Sequence, residues 1–167
     1  MSGRGAGGAA ALLIGALALA APPARADAAA AFGALVLERC LPAMVLGAPL
    51  DVAGLRRLPE AEKARVLSAD APGPLYASPE PEVLLHALAP DACGVLASGA
   101  DTGPLDAFVR FWFDGAEDPF ERTLREEDGD RLQERYVLAH AGVRVTALYS
   151  RAAGRGVALM TIHREPL

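Results

Sequence analysis

Hydrophobic positions recur at helical spacing near the start of the chain and alternate near its end. After an alanine-rich opening, residues at i, i+3, i+4 and i+8 form one apolar stripe, which predicts an amphipathic helix from Asp27. Pro42 should kink or end the regular helix, and Gly47-Ala48-Pro49 should stop it. The stripe consists of Phe32, Leu35, Val36 and Cys40.

The middle of the chain changes its period twice. Cys93, Val95 and Ala97 alternate with small or polar residues, which predicts a buried strand. After a Gly/Asp/Thr break the spacing becomes helical, with Asp101 or Thr102 as the cap. The predicted buried stripe of this second helix is Leu105, Phe108, Val109 and Trp112.

Proline and glycine divide the segment between these elements. Residues 50–68 predict two short helical pieces, the second opening at Pro59 with acidic residues in its first turn. Residues 69–81 contain four prolines and a glycine, so we expect an irregular loop there rather than a domain boundary.

Strand-like segments dominate the second half of the chain. The Ala141-Gly142 turn would pair His140 with Val143, and successive pairs would then separate into an apolar face and a mixed face. Besides the Cys93 strand, the predicted strands are residues 83–88, 120–126, 132–140, 143–150 and 156–164.

These segments predict an α+β fold in the order α-α-β-β-α-β-β-β-β. We expect a mostly antiparallel sheet of about five to six strands, with helices packed on one of its faces. No internal repeat is visible in the sequence.

The first residues predict export. An apolar run from Ala9 to Ala21 follows Arg4, and Ala24-Arg25-Ala26 is typical of a signal-peptidase site. The run has about 13 residues, fewer than the ~20 that span a bilayer. We therefore predict a signal peptide at residues 1–26, a single secreted domain at 27–167, and no membrane span after cleavage.

The charge balance excludes one class of partner. Cleavage before Asp27 would remove two of the 16 basic residues and none of the 21 acidic ones, so the net charge would change from −5 to −7. Such a surface repels nucleic acid at long range, and we expect no nucleic-acid partner.

Cys40 and Cys93 are the two cysteines of the chain. An even pair in an exported protein predicts a disulfide in an oxidising periplasm. Closing a loop of about 54 residues would stabilise the fold by on the order of 4 kcal/mol. A reactive thiol with a histidine partner is the alternative, but neither cysteine has the neighbouring cations that activate a thiolate.

No motif in the sequence identifies a reaction, a cofactor or a metal. His86, His140 and His163 lack ligand spacing, and the acidic run 126–130 lacks the order of a calcium loop. Arg135, Arg144 and Arg125, with Thr123 and Thr146, mark the mixed sheet face as a weak candidate binding surface for an anionic group or an acidic partner. The alternative is that these arginines pair with nearby acids on an exposed sheet.

The layout resembles small exported proteins of unknown function from GC-rich alphaproteobacteria. The resemblance rests on Phe32, Val36 and Cys40 in a helix after a signal peptide, and on Cys93 and Val95 in a strand followed by a helix and a meander. It implies a periplasmic location and a disulfide, and it assigns no catalytic residue.

We expect a periplasmic or secreted protein that works as a non-enzymatic binding or interaction module for an unknown protein or small-molecule partner. One alternative is a small periplasmic hydrolase whose polar residues converge from loops, with a histidine beside an acid or hydroxyl. Another is a purely structural or assembly protein, which self-association would indicate.

Overall fold

The computed structural model describes residues 28–68, 70–79, 83–115 and 119–167. The strands are Arg56–Arg57 (β1), Leu75–Ala77 (β2), Val83–Ala89 (β3), Ala92–Ser98 (β4), Glu121–Asp128 (β5), Arg131–His140 (β6), Val143–Ala152 (β7) and Val157–Pro166 (β8). The helices are Ala28–Leu46 (α1), Glu60–Val66 (α2) and Thr102–Phe113 (α3), with a short 3₁₀ turn at Ala153–Arg155.

All eight strands belong to one antiparallel sheet, in the order β1-β2-β3-β4-β8-β7-β6-β5. The predicted α+β class and antiparallel sheet are confirmed, but the sheet has more strands than the five to six expected. The predicted signal peptide at residues 1–26 lies outside the described residues.

The two additional strands come from the Pro-rich middle of the chain. The first helical piece predicted in residues 50–68 is wrong, because Arg56 and Arg57 pair with Ala77 and Tyr76 across β1 and β2. β2 in turn lies inside the predicted irregular loop and pairs with β3. The second predicted helical piece is confirmed as α2.

Helix α1 passes through Pro42 and ends at Leu46, where Gly47 has a φ of 66°. Its segment Leu35–Cys40 is wound as a π-helix, and the Leu41 amide bonds the Val36 carbonyl five residues back. In an ordinary α-helix the ring of a proline clashes with the carbonyl four residues before it. The wider π-turn lies directly before Pro42. The helix therefore changes its winding instead of ending at Pro42, and the predicted stop at residues 47–49 is confirmed.

Helices α1 and α3 cover one side of the sheet, which we call the core face. The predicted stripe of α1 is buried there, and Cys40 forms the predicted disulfide with Cys93 of β4, with 6.0 Å between the two Cα atoms. α1 is also long and apolar enough, by length and composition alone, to cross a membrane. Its stripe of Phe32, Leu35, Val36 and Cys40 is buried against the core.

Helix α3 is rotated relative to the predicted stripe. Leu105, Val109 and Phe113 are fully buried, whereas Trp112 is 45% exposed. Phe113 packs 5.5 Å from the Tyr136 ring of β6, and Phe108 contacts Phe32 of α1 edge-on. The buried stripe is thus i, i+4, i+8, and Trp112 does not belong to it.

A second hydrophobic cluster lies on the other side of the sheet, at one of its ends. Leu58, which precedes α2, packs with Leu75, Ala77 and Leu84 on the side of β2 and β3 opposite the core face. This second hydrophobic cluster covers β1–β3. The same side of β5–β8 carries no helix among the described residues.

The β6–β7 hairpin has the register that the sequence predicts. His140 pairs with Val143, Leu138 with Val145 and Tyr136 with Ala147. Ala141 and Gly142 have φ values of 48° and 80°, as the two central residues of a type I′ turn require. The predicted apolar side of this hairpin is the core face.

Candidate functional site

The side of β4–β8 turned away from α1 and α3 is here called the outer face. Its residues lie in cross-strand rows, because the register is continuous from β6 through β7 to β8. The basic end of this face has three rows: Arg135, Leu148 and Thr161, then Val137, Thr146 and His163, then Ala139, Arg144 and Glu165.

A concavity of about 460 Å³ lies over these rows. Thr123 of β5, Thr146 of β7 and Thr161 of β8 contribute hydroxyl groups to its lining. Arg135, Arg144 and His163 contribute nitrogen groups, so every polar side chain lining it is a hydroxyl, a guanidinium or an imidazole.

The two arginines differ in how far their charge is compensated. Arg144 Nη1 lies 3.2 Å from Glu165 Oε1, and both side chains are about half exposed, a setting in which an ion pair contributes little. Arg135 forms no ion pair with any residue that the structure describes. Its guanidinium therefore keeps planar donors for a carboxylate or phosphate oxygen.

Arg125, the third arginine predicted for this surface, lies on the opposite side of the sheet. A register shift between Arg122 and Leu124 inserts one extra residue, a β-bulge, into β5. The shift reverses the facing of the residues that follow, and Arg125 pairs with Glu134 on the core face. The outer-face grouping therefore contains Arg135 and Arg144 without Arg125.

Glu134 is the centre of a buried polar network that the sequence analysis missed. Its side chain is 1% exposed, and Oε1 lies 2.6 Å from Arg125 Nη1 and 3.7 Å from Arg122 Nη1. The Tyr136 hydroxyl donates to Oε2 at 2.9 Å, and burial raises the pKa of this phenol. The signal was in the sequence, because Glu134 alternates with Leu132 and Tyr136 on the apolar side of β6.

A second network adjoins the first, because Tyr149 is the cross-strand partner of Glu134. The Tyr149 hydroxyl donates to Asp106 of α3 at 2.7 Å, and burial raises the pKa of this phenol too. Arg151 Nε lies 2.8 Å from the same carboxylate, and Arg151 Nη2 lies 3.3 Å from Glu127. Together the two networks link α3 to β5, β6 and β7.

The three histidines lie on different strands and do not meet. His86 is buried, and its Nε2–H donates to the Pro72 carbonyl at 2.7 Å. Burial lowers the pKa of this imidazole, which favours its neutral form. His163 lines the outer-face concavity, and His140 is exposed at the end of β6.

The acidic run 126–130 covers the end of β5 and the β5–β6 turn, which consists of Gly129 and Asp130. Gly129 has a φ of 59°, and Asp130 Oδ2 accepts from the Gly154 amide at 3.2 Å. Among the residues that the structure describes, no group of three or more His, Cys, Asp or Glu is placed to hold a metal ion. No protein-family model matches this chain, and no curated protein matches it either.

Proposed function

We propose that this chain is an exported, non-enzymatic binding module whose outer face holds the anionic group of a small-molecule ligand. The surface concerned is the concavity over β5–β8 lined by Arg135, Arg144 and His163. The protein would work in the periplasm or outside the cell.

One observation carries the proposal: Arg135 has no carboxylate partner among the described residues and lines a concavity with three threonines and a second arginine. Arginine binds carboxylate and phosphate groups with two parallel hydrogen bonds, and hydroxyl groups add further donors. These groups recognise an anion without needing a nucleophile or a general base.

The charge of the whole chain makes this basic patch selective. Acidic residues outnumber basic ones by 21 to 16, so an anion is repelled at long range and attracted only close to the outer face. At 0.15 M salt this repulsion extends only about 8 Å. The ligand must therefore gain its affinity from direct contacts.

Two features support export. The apolar run from Ala9 to Ala21 ends in a small-residue cleavage pattern. The Cys40–Cys93 disulfide belongs with an oxidising compartment, since thiols in the cytosol are kept reduced.

Amide chemical shifts can test the anion site directly. Acetate or inorganic phosphate, added at millimolar concentrations to the labelled protein, should shift the resonances of Thr146, Thr161 and His163 in a saturable way. Arg135→Ala combined with Arg144→Ala should abolish these shifts, because the charged donors are lost.

The matched control removes the same charge elsewhere. Arg65→Ala combined with Arg110→Ala changes two exposed arginines on α2 and α3 and should leave the shifts intact. Equal shifts in wild type and in the outer-face variant would mean that this surface is not the anion site.

A further inference from the structure

The basic concavity continues along the strands into a second one of about 480 Å³. The two share a floor, because Gln133, Ser150 and Leu159 form the row next to Arg135, Leu148 and Thr161. The following row consists of Arg131, Ala152 and Val157. One trough thus runs along β6, β7 and β8.

The second half of the trough has an apolar floor. Leu159 is 37% exposed, and its cross-strand neighbour Leu96 on β4 is half-buried. Val157 and Leu148 are also half-buried on the same face. Covering these side chains with an apolar group removes their surface from water, which is favourable in free energy.

The two ends of the trough differ in their balance of charge. Arg135 and Arg144 line the first end with no acid among the lining residues, whereas Arg131 and Arg151 accompany Glu126 and Asp128 at the second end. An anionic group is therefore favoured at the first end, where no acid in the lining offsets the positive charge. This difference gives a bound molecule a defined direction.

On the basis of the function proposed above, we infer that the ligand is an amphiphilic anion, with a carboxylate or phosphate headgroup and an alkyl chain. The headgroup binds Arg135 and Arg144, and the chain lies over Leu148, Leu159 and Val157. From His163 to Val157 the strand rises about 20 Å, at roughly 3.4 Å per residue, which is room for an extended alkyl chain.

Calorimetric titration with a matched set of probes tests both the headgroup and the chain of the ligand. Each probe is kept below its critical micelle concentration. Laurate and octanoate share a headgroup and differ in chain length, whereas dodecyl phosphate and dodecyl maltoside share a chain and differ in charge. A half-buried methylene group tightens binding about twofold, so laurate should bind at least about tenfold more tightly than octanoate.

The probes that differ in headgroup distinguish a carboxylate ligand from a phosphate ligand. Whichever of laurate and dodecyl phosphate binds more tightly identifies the preferred headgroup, and dodecyl maltoside should bind at least about tenfold more weakly than both. If dodecyl maltoside binds as tightly as they do, the headgroup assignment is wrong.

Two variants separate the chain from the headgroup. Leu159→Gln should weaken laurate binding several-fold and leave the acetate-induced shifts of Thr146 unchanged. Leu46→Gln, at a leucine 72% exposed at the end of α1, is the control and should change neither. Arg135→Ala with Arg144→Ala should weaken laurate binding at least about tenfold.

Failure of this inference differs from failure of the proposed function. If acetate shifts the outer-face resonances but laurate and octanoate bind equally, the alkyl chain has no place in the trough and the anion site remains. If acetate and phosphate shift none of those resonances, the anion site itself is absent.

Discussion

Glu134 shows how a single buried charge organises its surroundings. A carboxylate that is 1% exposed has lost its hydration, and only close hydrogen-bonded partners offset that cost. Arg125 and Tyr136 each bond one of its oxygens, at 2.6 Å and 2.9 Å. Arg122 adds a second positive charge, itself hydrogen-bonded to Asp114 after α3. The acid therefore depends on partners from two strands.

We predict that Glu134→Gln lowers the free energy of unfolding by about 2 kcal/mol. The substitution breaks the 2.6 Å ion pair with Arg125 and leaves two arginines facing a neutral amide. The value is below that of a fully buried pair, since the arginines are one-third exposed. Urea denaturation followed by circular dichroism measures it.

Glu62→Gln is the matched control for this prediction. Glu62 pairs with Arg56 at 3.5 Å, and both side chains are largely exposed, so its loss should change the stability by less than about 0.5 kcal/mol. A Glu134 variant as stable as this control would show that the buried network adds nothing to the fold.

At the scale of elements, the sequence predicts those structures whose signal is local and periodic. The β6–β7 hairpin follows from two turn residues with positive φ and from side-chain alternation, so its whole register could be predicted. Helix α1 and strand β4 follow from apolar spacing. β1 has two residues, too few to show any period, and it exists because β2 supplies its hydrogen bonds.

The residues of the candidate surface could also be predicted from side-chain alternation, and the prediction was wrong only for Arg125. Arg135 and Arg144 lie on strands whose alternation is unbroken. The bulge beside Thr123 moves Arg125 to the other face, and nothing in its neighbouring residues marks that shift. His163 and Thr161 belong to the surface because β8 pairs with β7, and the sequence analysis did not predict that pairing.

The disulfide joins two elements that are far apart in sequence. Cys40 and Cys93 are both fully buried, and the bond closes a loop between α1 and β4. We predict that Cys40→Ser with Cys93→Ser lowers the free energy of unfolding by about 2–4 kcal/mol, because the unfolded chain regains the entropy of that loop. Guanidinium denaturation of the oxidised protein and the variant measures the difference.

Reduction provides the internal control. The wild-type protein should unfold more readily once dithiothreitol has cleaved the bond, whereas the double variant should be indifferent to the reagent. If reduction changes neither protein, α1 is held on the sheet by packing of Phe32, Val36 and Met44 alone.

At the scale of the whole molecule, the last strand of the chain holds the sheet together. β8 lies between β4 and β7, so among the described strands the hairpin β3–β4 is hydrogen-bonded to the meander β5–β7 only through β8. Its inward side chains Met160 and Ile162 are fully buried. The trough lies on β6, β7 and β8, and it therefore exists only when β8 has paired with β7.

This arrangement predicts one cooperative sheet with its slowest-exchanging amides at the centre. In native-state hydrogen exchange, the amides of Val95, Ala147 and Ile162, on β4, β7 and β8, should share the free energy of global unfolding. The edge strand β1 should exchange at least about 100-fold faster, because it has two residues and one neighbour. If β5–β7 keep their protection under conditions where β3 and β4 have lost theirs, the two halves fold independently. In that case β8 would not be the element that joins them.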